Sequence, residues 1–177
     1  MKTKYALMIV LILSSSSAFA AGERSMNIRV SPLSLIGGMV GADADFKVGE
    51  RFTIGPTVST MKASLLFTEL TGFSFGARAN WYLSENAIDD SWYVGPTIGY
   101  SSMTVSQLGQ QGSVGAFTLG TLVGYQWVLD NGFNVNVGGG AAFYMGDDSV
   151  VAGNTTLSVP FYSGFVPQAE ITVGYAF

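Results

Sequence analysis

Apolar and polar positions alternate with a period of two along most of this chain, and no segment sustains the 3.6-residue period of an amphipathic helix. The C-terminus shows it most clearly. Phe165, Pro167, Ala169, Ile171, Val173, Tyr175 and Phe177 share one face, opposite Gln168, Glu170, Thr172, Gly174 and Ala176. The same split recurs upstream and predicts eight strands: Asn27 to Ile36, Val40 to Val48, Phe52 to Ser59, Phe73 to Leu83, Trp92 to Ser101, Phe117 to Trp127, Phe133 to Phe143, and Phe165 to Phe177. Each is about ten residues, the length a tilted strand needs to cross hydrocarbon. The first is the least regular, because Pro32 interrupts it. A strand proline belongs at an edge or a bulge, so a bulge is expected there.

The connections alternate in length. Val48 to Arg51, Ser84 to Ser91 and Val128 to Gly132 read as short or polar turns, with Asp130-Asn131-Gly132 a strong hairpin signal. Thr60 to Gly72, Ser102 to Gly115 and Tyr144 to Ser163 read as long loops, and Gly37-Gly38 as a tight connection. Gly55-Pro56-Thr57-Val58 returns 40 residues later as Gly95-Pro96-Thr97-Ile98. Four hairpin units of that size account for eight strands. The fold expected is all-β: an eight-stranded antiparallel up-and-down transmembrane β-barrel.

Composition sharpens this. Charged residues are 11% of the 177, against about 25% in soluble proteins. After the first twenty residues no apolar run is long enough for a membrane-spanning helix. Those first twenty read as a cleaved signal peptide. Lys2 and Lys4 are basic, Ala6 to Leu13 is a short apolar run, and Ala18-Phe19-Ala20 is an A-x-A site. Residues 21–177 are then a single outer-membrane barrel domain, with six basic against twelve acidic residues. That balance offers no basic patch for nucleic acid. The absence of cysteine excludes a disulfide framework and a thiolate metal site.

Alternation alone does not say which face points inward. The polar face is mostly Gly, Thr, Ser and Asn with few charges, whereas a water-facing sheet carries mixed charge. A narrow eight-stranded interior needs small residues, so the apolar face is expected to meet lipid. Phe46, Phe52, Trp81, Trp92, Trp127, Phe133 and Phe177 flank the short turns or end the chain, and they include all three tryptophans. Aromatic rings at one rim suit the headgroup level. Ile171-Thr172-Val173-Gly174-Tyr175-Ala176-Phe177 resembles the C-terminal signal of bacterial outer-membrane barrels. By that resemblance Ile171, Val173, Tyr175 and Phe177 are read by the barrel-assembly machinery. The chain as a whole resembles small OmpA/OmpX-type eight-stranded barrels in strand count and loop asymmetry. The stretch Asn27-Ile28-Arg29-Val30-Ser31-Pro32-Leu33-Ser34 resembles a family of small outer-membrane barrels without assigned activity. The partners this implies are outer-membrane lipid and lipopolysaccharide, with the barrel a monomer.

There is no histidine in the chain. Outer-membrane lipases, acyltransferases and omptin-type proteases share this architecture but use a histidine. A serine nucleophile needs a base poised near neutral pH, so an enzyme is not expected. The inward charges are Arg29, Asp43, Asp45, Lys47, Arg78 and Glu170. They are expected to pair across the lumen as a plug, since an unpaired buried charge costs several kcal/mol. Nearby Arg and Lys argue against a metal at Asp43 and Asp45, and no cofactor is expected. Glu69, Asp147 and Asp148 read as solvated loop charges, and Gly138-Gly139-Gly140 as a site of close packing or bending in the wall. The expected role is structural or surface-interacting, through the external loops. The alternatives are a narrow channel for ions or small solutes, and a soluble periplasmic ligand-binding barrel. Deleting Phe177 should lower the outer-membrane yield of folded barrel severalfold; immunoblots of membrane fractions check this.

Overall fold

Within hydrocarbon a strand can satisfy its backbone N–H and C=O groups only by pairing on both edges, which drives a sheet to close on itself. This chain does so. The computed structural model describes residues 24–32, 35, 38–65, 68–107, 110–147, 149–152, 155–158 and 162–177; the expected signal segment lies outside them. The strands are β1 (Met26–Val30), β2 (Met39–Gly49), β3 (Phe52–Leu65), β4 (Thr68–Tyr82), β5 (Ser91–Gln107), β6 (Gln110–Val128), β7 (Phe133–Gly146), β8 (Ser149–Ala152), β9 (Thr155–Ser158) and β10 (Gly164–Ala176). Eight of them form a closed barrel in the order β1-β10-β7-β6-β5-β4-β3-β2, every pair antiparallel. The barrel shuts where Asn27 to Val30 pairs with Val173 to Ala176. The strands β8 and β9 form a separate hairpin between β7 and β10.

The eight expected strands are present, with two corrections to their extent. The first ends at Val30, not Ile36, and Pro32 and Leu35 have helical backbone geometry rather than forming a bulged strand. Proline lacks the N–H a ladder needs, while its fixed φ suits a helical first turn. The second correction is larger. The expected loops at 60–72 and 102–115 are mostly strand, since β3 and β4 run to Leu65 and Thr68, and β5 and β6 to Gln107 and Gln110. These extensions were hidden because their sidedness reverses. In the barrel wall the outward residues are apolar, as with Phe73, Phe75 and Ile98. Beyond it Lys62, Glu69, Thr71 and Ser113 are exposed, while Met103, Val105 and Val114 are buried inside.

The 40-residue repeat marks two local breaks in pairing. The β2–β3 ladder passes from Asp43–Thr57 to Phe46–Ile54, and β4–β5 passes from Arg78–Thr97 to Trp81–Val94. Each gap sits at the Gly-Pro of the repeat, where proline supplies no N–H. The glycine of each pair faces inward and makes room. A Cβ on Gly55 would collide with the Ala44 carbonyl, and one on Gly95 with the Asn80 side chain and, at 3.3 Å, Arg78. Gly55→Val should therefore destabilise the barrel by about 1–3 kcal/mol. Gly49→Val, whose Cβ would have only Phe52 at 3.8 Å, should be near neutral. Urea unfolding of the two variants in parallel measures the difference.

Candidate functional site: the filled lumen

Three layers fill the interior from the turn end upward. The first is apolar. The β4–β5 connection folds under the barrel and places Ala87 and Ile88 against Tyr82, Tyr93 and Ala176, all buried. Its backbone is fixed by Ala87 N donating to the Glu50 carbonyl at 2.5 Å. Ile88 holds φ at 67°, a left-handed conformation that a β-branched residue rarely adopts. Such strain costs about 1–3 kcal/mol and persists only where packing enforces it. Here the packing is the complete burial of the Ile88 side chain.

The second layer is a polar network. Asn134 Nδ2 donates to Asn27 Oδ1 at 2.8 Å, and Asn27 Nδ2 donates to Gln126 Oε1 at 3.2 Å. Asn136 Nδ2 donates to Asn134 Oδ1 at 3.1 Å, and Asn136 Oδ1 accepts from Arg29 Nη1 at 3.4 Å. This chain of amides leads into the ion pairs. Arg29 binds Asp43 through Nε at 2.6 Å and Asp45 through Nη2 at 2.7 Å. Arg78 bridges Asp43 at 2.9 Å and Glu170 at 2.6 Å. Asp43 thus accepts from both guanidinium groups. Both arginines and Asp45 are almost wholly buried.

Two guanidinium groups here face three carboxylates, so one negative charge is left over within the cluster. Neutral donors offset it. Asn80 Nδ2 donates to Asp45 Oδ2 at 3.1 Å, and the Tyr93 hydroxyl donates to Glu170 Oε1 at 3.1 Å. Ion pairs away from water gain little net stability unless such bonds complete them.

Of the charges singled out in the sequence, Arg29, Asp43, Asp45, Arg78 and Glu170 meet in this one cluster. Lys47 lies further toward the turns, half-buried, opposite Thr53 on β3. The amides Asn27, Gln126, Asn134 and Asn136, with Tyr82 and Tyr93, belong to the interior although alternation alone did not mark them as a network. For Tyr82, Tyr93, Gln126 and Asn134 the signal was a polar-face amide or tyrosine next to a rim aromatic; Asn27 and Asn136 carried no such signal. Ile88 carried no such signal, because it lies in a turn.

The third layer closes the loop end. Met103, Val105 and Val114 are buried together, with Met61, Leu70 and Tyr162 packed on them. Between the second and third layers the inward positions shrink to small residues such as Ser74, Gly76, Thr97 and Gly99, which are half-buried.

The outward surface is apolar and banded. Phe46, Phe52, Trp81, Trp92, Trp127 and Phe133 are all exposed around the turn end, and Trp127 leans on Tyr125 at 4.8 Å. Phe177 ends the same rim half-buried, its carbonyl accepting from Ser25 N at 2.6 Å and its ring 5.0 Å from Tyr175. Ile171 is exposed and Val173 half-buried on the same face. A second aromatic band lies higher, where Phe73, Phe75, Tyr100 and Phe117 form a continuous run of ring contacts. Trp81 and Phe73 are eight residues apart on β4, about 27 Å along the strand, or roughly 20 Å along the normal of a tilted barrel. That spacing fits the apolar band of a transmembrane β-barrel. The soluble alternative is overturned, because its exterior would have to be polar. Asp147 is exposed beside the β8–β9 hairpin and Glu69 near the tip of β3–β4; Asp148 lies outside the described residues.

The fold is shared with a solved structure. The chain is similar to Neisserial surface protein A, with 16% identity over 87% of this chain and 96% of that one, at a TM-score of 0.53. It also aligns with Ail, the attachment invasion locus protein of Yersinia pestis, at 12% identity, 88% and 99% coverage and a TM-score of 0.49. CarO of Acinetobacter baumannii aligns at 7% identity, 89% and 99% coverage and a TM-score of 0.45. No protein-family profile matches the chain, and no curated protein sequence does.

Truncating Arg78 would leave Glu170 without its guanidinium partner and remove one of the two that hold Asp43. Arg78→Ala should cost about 3–5 kcal/mol. The Arg78→Ala/Glu170→Ala double change should cost less than the sum of the two single changes. A double-mutant cycle from urea unfolding in lipid reads the coupling.

Proposed function

We propose that this chain is an integral outer-membrane barrel that serves as a rigid support for surface contacts, and that it is neither an enzyme nor an open pore. The observation that carries this reading is the sidedness reversal in β3 to β6. Four strands run on past the upper aromatic band as paired hairpins, with polar residues outside and an apolar core of Met103, Val105 and Val114 inside. Loops with no internal core would move freely; these extensions are packed. In the orientation usual for such barrels the short turns face the periplasm and the packed hairpins face outward.

Three features support a closed lumen: the Ile88 cap, the ion-pair cluster and the apolar cluster above it. An eight-stranded barrel has little space to spare for a path between side chains. The absence of histidine supports a non-enzymatic role.

The chain has no native cysteine, so single cysteines report topology cleanly. A Ser106→Cys variant should react with a membrane-impermeant maleimide on intact cells, and Asn131→Cys only after lysis. The wild-type protein in planar bilayers should give a flat current trace under applied voltage. Stepwise wild-type conductance, or labelling of Asn131→Cys on intact cells, would overturn the reading.

A further inference from the structure

The three consecutive glycines of β7 differ in what the fold asks of them. Gly138 and Gly140 face inward, where a Cβ would be crowded. At Gly138 it would lie 3.1 Å from the Tyr93 hydroxyl and 3.2 Å from the Val123 carbonyl, and at Gly140 it would collide with the Thr121 carbonyl. Gly139 faces outward and is exposed. A Cβ there would have only the Gln168 carbonyl near it, at 3.7 Å, and its backbone is not left-handed. Neither packing nor conformation demands glycine at 139. A glycine inside a strand weakens it, and it often marks a place where something else approaches closely.

Gly139 lines a groove in the outer wall of about 460 Å³. Gly139 and Val123 lie at its upper end, Val137 and Tyr125 below them, and Trp92 and Trp127 at the rim. The aromatic wall is a connected set, with Trp92 edge-on to Tyr125 at 5.5 Å and Tyr125 against Trp127 at 4.8 Å. Gly139 pairs with Val123 and Trp127 with Val135, so the groove climbs four residues of β6, about 14 Å along the tilted strand or roughly 10 Å along the membrane normal, from the tryptophan rim toward mid-membrane. One leaflet of hydrocarbon is about 15 Å deep, so the groove follows the headgroup-side part of an acyl chain. The groove is continuous with the lipid-facing band and lined almost entirely by apolar atoms.

We infer that this groove is a binding site for one acyl chain of a periplasmic-leaflet phospholipid, seated over Gly139 with its headgroup at the Trp92–Trp127 rim. The assignment of leaflet rests on the membrane orientation proposed above. Glycine at 139 is then explained as the depth of the site, and the aromatic wall as its boundary against the freely exchanging lipid around it.

The test uses the full chain reconstituted in dioleoylphosphatidylcholine vesicles, released into mild detergent, and weighed by native mass spectrometry. The wild type should retain one phospholipid per barrel. Gly139→Leu should retain at least tenfold less, with Gly139→Ala intermediate and Phe75→Leu, outside the groove, unchanged. Each variant is checked for the unheated gel shift of a folded barrel; the open space at Gly139 makes Gly139→Ala safe for folding. A wild type that retains no phospholipid overturns the proposal. So does retention undiminished in a folded Gly139→Leu or Gly139→Ala barrel, or a wild-type mass of two chains that Gly139→Leu converts to one. Quenching of the wild-type tryptophans by chain-brominated phosphatidylcholine separates the two readings. Without quenching the barrel is not in the bilayer at all; with quenching, a failed retention assay removes the groove alone.

Discussion

Hydrocarbon offers no water to an unpaired backbone N–H or C=O, and each such group left bare costs several kcal/mol. Closure of the sheet answers that cost here, and the other features are consequences of closure. Once β1 meets β10, side chains must alternate between lipid and lumen at every position. The lipid side can then be apolar without penalty, as Phe52, Ile98 and Phe117 are. The lumen side has to be filled, and with eight strands it holds little more than its own side chains.

The filling pairs its buried charges with groups of opposite character. Asp43 is shared by two arginines, and the spare negative charge among the three acids is met by Asn80 and Tyr93. The Gly-Pro steps at 55–56 and 95–96 belong to the same arrangement. Both give up ladder bonds at the wall; Gly95 leaves room for the Arg78 and Asn80 side chains, and Gly55 for the close approach of the Ala44–Asp45 backbone. Local breaks in the sheet and the buried charges are therefore one feature seen from two sides.

The outward half of the structure was legible in the sequence because lipid imposes one simple demand on it. Phe46, Phe52, Trp81, Trp92, Trp127 and Phe133 are exposed beside the short turns, and five of the six inward charges meet. Legibility failed wherever that demand stopped. Above the membrane the apolar residues move inside, so Leu70, Met103 and Val105 read as scattered loop hydrophobics instead of strand interiors. Pro32 looked like a bulge in a long first strand, but a strand of five residues suffices there. Ile88 sits in a turn with φ of 67°, and its role as a cap depends on tertiary packing that no local pattern encodes.

The sidedness reversal also gives the barrel a waterline. In a strand that is uniformly apolar outside, sliding along the membrane normal by one pleat changes little. Here a slide toward the turns would draw the Thr71 and Ser113 hydroxyls and the Glu69 carboxylate into hydrocarbon. A slide the other way would lift Phe73 and Phe117 into water. Both displacements are opposed by free energies that grow with each residue moved. The protein therefore sets its own depth in the bilayer, much as ballast and freeboard set a hull's, and the surrounding leaflet has to adjust its thickness to the barrel.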